Sequence, residues 1–544
     1  MTQSRRAFVA SGSGMVLGAA LSATRVRRGS ADADIVLRGG TVFDGTGTDG
    51  READVAISGD RISAVGPLLR TRGAVEIDVR GLAVAPGFVD IHSHGDASLA
   101  ADPRAESVIR QGITTIVVGA DGSSRATGSA ANGFAAMFTR IERLKPAPNV
   151  ASMIGLGAVR AEIVGNGDRR ASPSELRRMV GMVERALKDG ACGASSGLEY
   201  TPGAFAPTNE LIALCAPLAR RGLVYATHMR NEDDRLLEAI TESIVVARGA
   251  GCGLQISHLK TQGPRNWSKL DQAFALIDAA HADGIDIAFD RYPYLAYATS
   301  LMNLFPVWSR DGGISAFLAR LDTQSVASRI EAETRAKVEL IGGWDNVQIT
   351  AVSAAADRDA EGKRLGAWAA SMAKPPYTAL VGLIRRNGGN ADMAGFAMSE
   401  ENLDRILAHP RGMVCTDGGA FAIDGPTRRG SPHPRGAGSF PRVLGRYVRE
   451  RKVLTLAQAI RRLTSVPADR VRLSERGRLS VGKAADVVVF DPARIADAAT
   501  FERPFQYPVG ISVVIVNGRI VLRDGQRSRA QSGRALRSDP KSAG

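Results

Sequence analysis

Seven histidines occur in the 544 residues, and four of them stand in or just after runs of strand-forming residues. His92 and His94 form a pair in Phe88-Val-Asp-Ile-His-Ser-His. Two residues apart on a strand, their imidazoles face the same side and can reach one ion. His228 ends the run Leu223-Val-Tyr-Ala-Thr-His, and His258 ends Cys252-Gly-Leu-Gln-Ile-Ser-His. Asp417 ends Gly412-Met-Val-Cys-Thr-Asp. Imidazoles with a carboxylate make a metal site of nitrogen and oxygen type, most often zinc. The chemistry such a site supports is hydrolysis by an activated water. Taken singly, a strand histidine is an ordinary core residue and a strand-end Asp an ordinary helix cap. The pointer to chemistry is the ordered set.

Those residues need a frame that gathers strand ends. From about Ala85 to Ala468 the chain alternates apolar strand-like runs with helical periodicity. Ile113-Thr-Thr-Ile-Val-Val, Ala191-Cys-Gly-Ala-Ser-Ser-Gly and Ile285-Asp-Ile-Ala-Phe-Asp belong to that series. Seven or eight strand–helix units predict a parallel (β/α)8 barrel, TIM-like, over residues 86–468. In such a barrel the C-terminal strand ends share one mouth. The gap of over 100 residues between Asp290 and Asp417 predicts an insertion at about 295–410, before the last strand. Short alternating runs closed by glycine turns flank the barrel at 34–85 and 469–525, predicting a small β-sandwich built from both chain ends.

With 44% hydrophobic and 23% charged residues, the chain has ample core and is not generally disordered. Its four cysteines stand singly, which excludes a disulfide framework and a zinc ribbon. The net charge of +14 invites a third reading, a non-catalytic basic protein binding nucleic acid or the cell envelope. The charge distribution argues against it, because residues 1–33 and 521–544 each carry +4 and leave +6 over the long middle. Arg5-Arg6 followed by an apolar stretch to Ala23 resembles a twin-arginine export signal over 1–33, implying a periplasmic or extracellular protein. The stretch is too short to span a bilayer, so no stable membrane anchor is expected. Residues 526–544, Arg- and Ser-rich, read as a disordered basic tail.

Two further segments make the site specific. Ala85-Pro-Gly-Phe-Val-Asp-Ile-His-Ser-His and Val481-Gly-Lys-Ala-Ala-Asp-Val-Val-Val-Phe-Asp resemble the amidohydrolase superfamily, over roughly residues 34–525. Ser195-Ser-Gly-Leu-Glu-Tyr-Thr-Pro-Gly, Thr227-His-Met-Arg-Asn-Glu, Ile256-Ser-His-Leu-Lys, Asp290-Arg-Tyr-Pro-Tyr and His433-Pro-Arg are similar to its N-acyl-D-amino-acid deacylase (D-aminoacylase) group.

That resemblance implies one or two Zn2+ ions held by His92, His94, His228, His258 and Asp417, with Asp417 also the catalytic proton shuttle. It implies Lys260, Tyr292 and Arg428 as anchors for the substrate carboxylate, with Arg429 and Arg435 close to the last. Tyr200 would polarise the scissile carbonyl or orient a ligand. The group carries a ligand cysteine just after the second barrel strand, in a Gly-Asn-Cys-Gly context. Here Val118-Gly-Ala-Asp-Gly puts Asp121 in that place. The bridging carboxylate is therefore expected from Glu199 first and Asp121 second. His281 and His409 read as structural, and His433 is left open in a Pro/Gly-rich loop.

The expected partner is a small acylated amino acid, not nucleic acid. The alternatives in the same superfamily are opening of a cyclic amide (hydantoinase- or dihydroorotase-like) and cleavage of an unusual dipeptide. The fourth strand has no lysine to be carboxylated, which disfavours both. A serine hydrolase mechanism is not expected.

Overall fold

The computed structural model describes residues 31–125 and 133–538. The expected export signal lies outside the described residues up to position 30, and Ala33 already begins a strand. Among the described residues no helix is long and apolar enough to cross a membrane.

Eight parallel strands form the barrel, numbered here β1 to β8. They are β1 (Phe88–Asp90), β2 (Ile113–Val118), β3 (Asn149–Ser152, resuming at Ile154–Gly155), β4 (Gly193–Gly197), β5 (Val224–His228), β6 (Gly253–Ile256), β7 (Ile287–Arg291) and β8 (Gly412–Val414). Neighbours pair in parallel from β1 to β3 and from the second part of β3 to β8. The ring closes between β8 and β1, where Asp417 N donates to His92 O (2.9 Å) and His94 N to Gly418 O (2.9 Å). Their residues are buried almost throughout, as strands covered on both faces require. Among the connecting helices, Pro173–Asp189 is strongly amphipathic; it opens on a Ser172/Glu175 capping box and lays Met179, Val183, Ala186 and Leu187 against the barrel.

The chain ends build one nine-stranded sheet that curls beside the barrel. Ala83–Pro86 joins its halves, pairing with Ala33–Val42 on one side and Val487–Phe490 on the other. Period-2 alternation gives the C-terminal strands two jobs. Val487, Val489, Val513 and Ile515 fill the core of this sheet, while Val488, Phe490, Val514 and Val516 face the barrel's core. The segment before β8 forms its own layer. Ala296–Ser300, Ala391–Phe396 and Val347–Val352 make an antiparallel sheet, backed by helices such as Gln324–Ile341 over a core that includes Leu301, Phe317, Ile330 and Leu383.

The expectation of a disordered tail from residue 526 does not hold for residues 526–538. Val150 N donates to Arg534 O (2.9 Å) and Leu536 N to Val150 O (2.8 Å), so this segment pairs beside β3. It also satisfies the buried Asn149 and Asn517 through Arg534 N and Ser532 O. Composition reads as disorder here, but the backbone hydrogen bonds are made by main-chain atoms that composition ignores. Truncation after Ala530 would strip the Val150 N–H and C=O of these partners and remove one bond each from Asn149 and Asn517, which still bond each other; each buried group left unpaired costs about 1–3 kcal/mol. The truncated protein is expected to melt several degrees lower by circular dichroism; an unchanged melting curve would show that the tail is dispensable.

Candidate metal centre and active site

The strand ends converge on one carboxylate. Asp121 Oδ2 lies 3.4 Å from His92 Nε2, 3.4 Å from His94 Nε2 and 3.6 Å from His258 Nε2. His228 Nδ1 is 3.0 Å from His258 Nε2. Asp417 Oδ1 stands 3.1 Å from His94 Nε2 and 3.5 Å from His92 Nε2. Four groups of potential ligand atoms result among the described residues; His92/His94/Asp121/Asp417 and Asp121/His228/His258 share Asp121, and the others are His92/Asp290/Cys415 and Glu199/His228/Glu232.

Local backbone geometry puts Asp121 there. It follows β2 with φ +50°, and Gly122 follows with φ +75°. Ser195 on β4 fastens the turn: Gly122 N donates to its Oγ (3.1 Å), and that Oγ donates to Gly119 O (2.6 Å). Gly197 lets the turn approach, since a Cβ there would fall 2.2 Å from Asp121 O. His258 (φ +37°) and Asp417 (φ +47°) share the left-handed conformation. Such backbone costs about 1–3 kcal/mol per residue and concentrates at functional sites.

Of the two carboxylates expected to bridge, Asp121 lies against three of the histidines, while Glu199 groups with His228 and Glu232. Glu199 reaches only His228 among the histidines, at Nε2 (3.4 Å), on the side away from His258. It sits at the turn after β4, lines the same cavity and also faces the Lys337 charge. No lysine occurs in β4. All four cysteines are buried and free; Cys415 lies beside Asp290 below the mouth.

Charge and burial suit a cation. Burial works to raise Asp121, but His92 and His258 outweigh it and hold the carboxyl well below its usual range. Burial likewise opposes ionisation of Asp417, which Arg435, His92 and His258 hold ionised. Burial alone would lower His94; its hydrogen bonds to Asp121 and Asp417 instead raise it to about 9. His92 Nε2 and Asp121 Oδ1 are buried with no hydrogen-bond partner among the described residues. Leaving such atoms unpaired costs about 1–3 kcal/mol each, a cost that coordination removes. His92 Nδ1 lies 3.2 Å from Asp290, which aims Nε2 at the centre. The residues present therefore fit a divalent ion bound by nitrogen and oxygen donors.

A cavity of about 840 Å³ opens over this centre, walled by the barrel mouth, the insertion and the loop after β8. Lys260 and Tyr292, both buried, line it, as does Tyr200. The Tyr200 hydroxyl is 3.4 Å from His228 Nδ1 and 3.4 Å from Thr299 Oγ1. Burial first, then the Asp121 charge, raises this phenol well above its usual value, so it keeps its proton. The Tyr292 hydroxyl is buried with no partner among the described residues.

Arg428 is not at the cavity; it is exposed, over the Phe505 ring at 5.0 Å. Arg435, not Arg428, lines the cavity. It is buried, its Nη1 is 2.7 Å from Asp417 Oδ2, and its guanidinium lies 4.6 Å from the centroid of the Tyr292 ring. The loop after Asp417 swings outward before returning, so distance along the chain from Asp417 is a poor guide. His433-Pro-Arg was the available signal. His433 itself is structural, bonding Ala296 O and accepting from Arg435 N.

Sequence reasoning also missed Glu232 and Lys337. Buried Glu232 Oε1 accepts from Lys260 Nζ (2.6 Å) and lies 3.0 Å from His258 Nδ1. Lys337, on the insertion helix, pairs with Asp233 at 2.5 Å and lines the cavity.

If Asp121 is the central ligand, Asp121→Ala should lose bound zinc, measured by elemental analysis after dialysis. Asp121→Cys, which restores an anionic ligand, and Glu199→Gln should keep it. Zinc loss in Glu199→Gln with retention in Asp121→Ala would reverse the assignment.

Known proteins resemble this chain over nearly its whole length. A model of the amidohydrolase family matches residues 420–522. N-acyl-D-glutamate deacylase of Alcaligenes xylosoxydans xylosoxydans is 36% identical over 527 residues, covering 94% of this chain and 98% of that protein. D-aminoacylase of the same organism is 34% identical, covering 92% and 97%. The crystal structure of N-acyl-D-glutamate deacylase from Bordetella bronchiseptica, complexed with zinc and a phosphonate mimic of the tetrahedral intermediate, superposes with a TM-score of 0.79. It is 34% identical and covers 93% of this chain and 100% of that one. Relatives this similar over this much of the molecule show the family: the chain belongs to the D-aminoacylase group of the amidohydrolase superfamily.

Proposed function

We propose that this protein hydrolyses the amide bond of N-acyl-D-amino acids, using zinc at the centre around Asp121. The observation that carries the reading is the arrangement of one cavity. Ion ligands occupy its floor, and three groups suited to a carboxylate, Lys260, Tyr292 and Arg435, stand beside them. An acylated amino acid has a scissile carbonyl for the first set and a free carboxylate for the second. The names of the relatives support the D configuration, and the zinc in the Bordetella bronchiseptica enzyme supports the metal.

When bound, the ion supplies Lewis acidity and a more acidic water. The protein's own groups do the rest. Asp417, held ionised between His94 and Arg435, accepts the proton of the attacking water and returns it to the leaving nitrogen. The protonated Tyr200 hydroxyl donates to the oxygen on which charge develops. Arg435 and Lys260 hold the carboxylate, and the Tyr292 hydroxyl adds a donor. An exported, periplasmic or extracellular location is part of the proposal and rests on Arg5-Arg6 and the apolar stretch that follows.

A substrate panel of N-acetyl-D-amino acids, their L-isomers, a hydantoin and an isoaspartyl dipeptide tests the reading. Turnover of the D-acyl compounds is expected, and turnover of the hydantoin alone would overturn it. Asp417→Asn should lower kcat by ~10²–10⁴-fold. Arg435→Met should raise KM about tenfold or more, the worth of a charged hydrogen bond, while Arg428→Met should leave KM within about twofold. Equal effects of the two arginine variants would contradict the placement of the anchor.

A further inference from the structure

Glu232 has no assigned role, yet it stands between two that do. It is 3% exposed, in the turn after β5, four residues beyond His228. Its backbone is locked in place, because Gln262 N donates to Glu232 O (2.8 Å) and ties the turns after β5 and β6 together. One oxygen, Oε1, is shared by Lys260 Nζ at 2.6 Å and His258 Nδ1 at 3.0 Å. The other, Oε2, lies 4.0 Å from His228 Nε2. We infer that Glu232 is a positioning residue that orients an ion-binding imidazole and a substrate-anchoring ammonium with a single carboxylate. The Lys260 half of this inference rests on the proposed deacylase reading; the His258 half does not.

The argument is one of competing hydrogen bonds. A neutral imidazole has one proton, and the nitrogen that lacks it is the one able to bind an ion. For His258 to offer Nε2 to the centre, the proton must be on Nδ1 and donate outward. Glu232 is the acceptor in position. Lys260 Nζ, however, also lies 2.7 Å from the same Nδ1. An ammonium can only donate, so its bond to Nδ1 requires the proton to sit on Nε2, where it blocks the ion. The two arrangements exclude each other. The carboxylate of Glu232 decides between them, because it accepts from Nδ1–H and holds the ammonium at the same time. Held in this way, Lys260 has donors left for the cavity, whose wall it forms.

The inference sets the signs of three variants. Glu232→Gln should weaken zinc binding by about 10–100-fold, the usual worth of a carboxylate behind a metal-binding histidine. It should also raise KM for an N-acetyl-D-amino acid. Lys260→Met should raise KM but leave zinc affinity at or above the parent value, since the competing donor is gone. The double variant Glu232→Gln/Lys260→Met should regain part of the zinc affinity lost in Glu232→Gln. Zinc affinity is read by competition with a chromogenic chelator, and thermal melting confirms that each variant folds. If Glu232→Gln does not fold, Glu232→Asp, one methylene shorter, is expected to bind zinc more weakly than the parent.

Parent-like zinc affinity in a folded Glu232 variant would overturn the inference. So would a loss in Lys260→Met as large as that in Glu232→Gln, or a double variant no better than Glu232→Gln. If the parent protein turns over no acyl-D-amino acid, the deacylase reading fails, and the zinc measurements still judge Glu232.

Discussion

A buried carboxylate in a left-handed turn organises this molecule. Asp121 has three imidazoles within 3.4–3.6 Å of one oxygen, contributed by residues that follow β1 and β6. A charge that deep is tolerated only where it is compensated. The mouth of the barrel is built to provide that compensation. Ser195 and Gly197 on β4 hold and admit the turn, Asp290 on β7 steadies His92, and Asp417 after β8 closes the ring against β1. Strands β1, β4, β6, β7 and β8 thus serve one oxygen atom, and the close packing of the barrel interior keeps them from relaxing away from it.

The same rule governs the cations around the cavity. Lys260 is bound to Glu232, Lys337 to Asp233 and Arg435 to Asp417. Each is positioned by a carboxylate while keeping donors for a ligand. The pairs also join separate parts of the structure. Lys337 ties the insertion to the turn after β5, and Arg435 ties the helix after the outer loop to the end of β8. The lining of the cavity and the docking of the inserted layer therefore share these ion pairs, so a change in one is expected to be felt in the other.

Much of this was legible in the sequence, for identifiable reasons. His92, His94, His228, His258 and Asp417 end strand-like runs, and strand ends in a parallel barrel have one destination. The inserted layer was visible as a gap too long for one strand–helix unit. What could not be read was set by contacts across the structure. The position of Asp121 among the histidines depends on how closely a β2 turn approaches Gly197, a distance with no signature along the chain. Arg435 displaced Arg428 because a loop leaves the mouth and returns. Glu232 was in view within Thr227-His-Met-Arg-Asn-Glu, but its role depends on Lys260, twenty-eight residues away. The paired segment 532–538 was misread because Arg and Ser report on solubility, and the hydrogen bonds there are made by the backbone.

The central claim is that Asp121 is the shared carboxylate of the metal centre. A crystal structure of the zinc-loaded protein, with the ion placed by anomalous scattering, tests it most directly. The account requires Asp121 oxygen at about 2.0–2.2 Å from zinc, together with imidazole nitrogens at about 2.0–2.1 Å. It also requires His258 to bind through Nε2 and Glu199 to remain outside bonding distance. Zinc bound to Glu199, with Asp121 turned away, would contradict it.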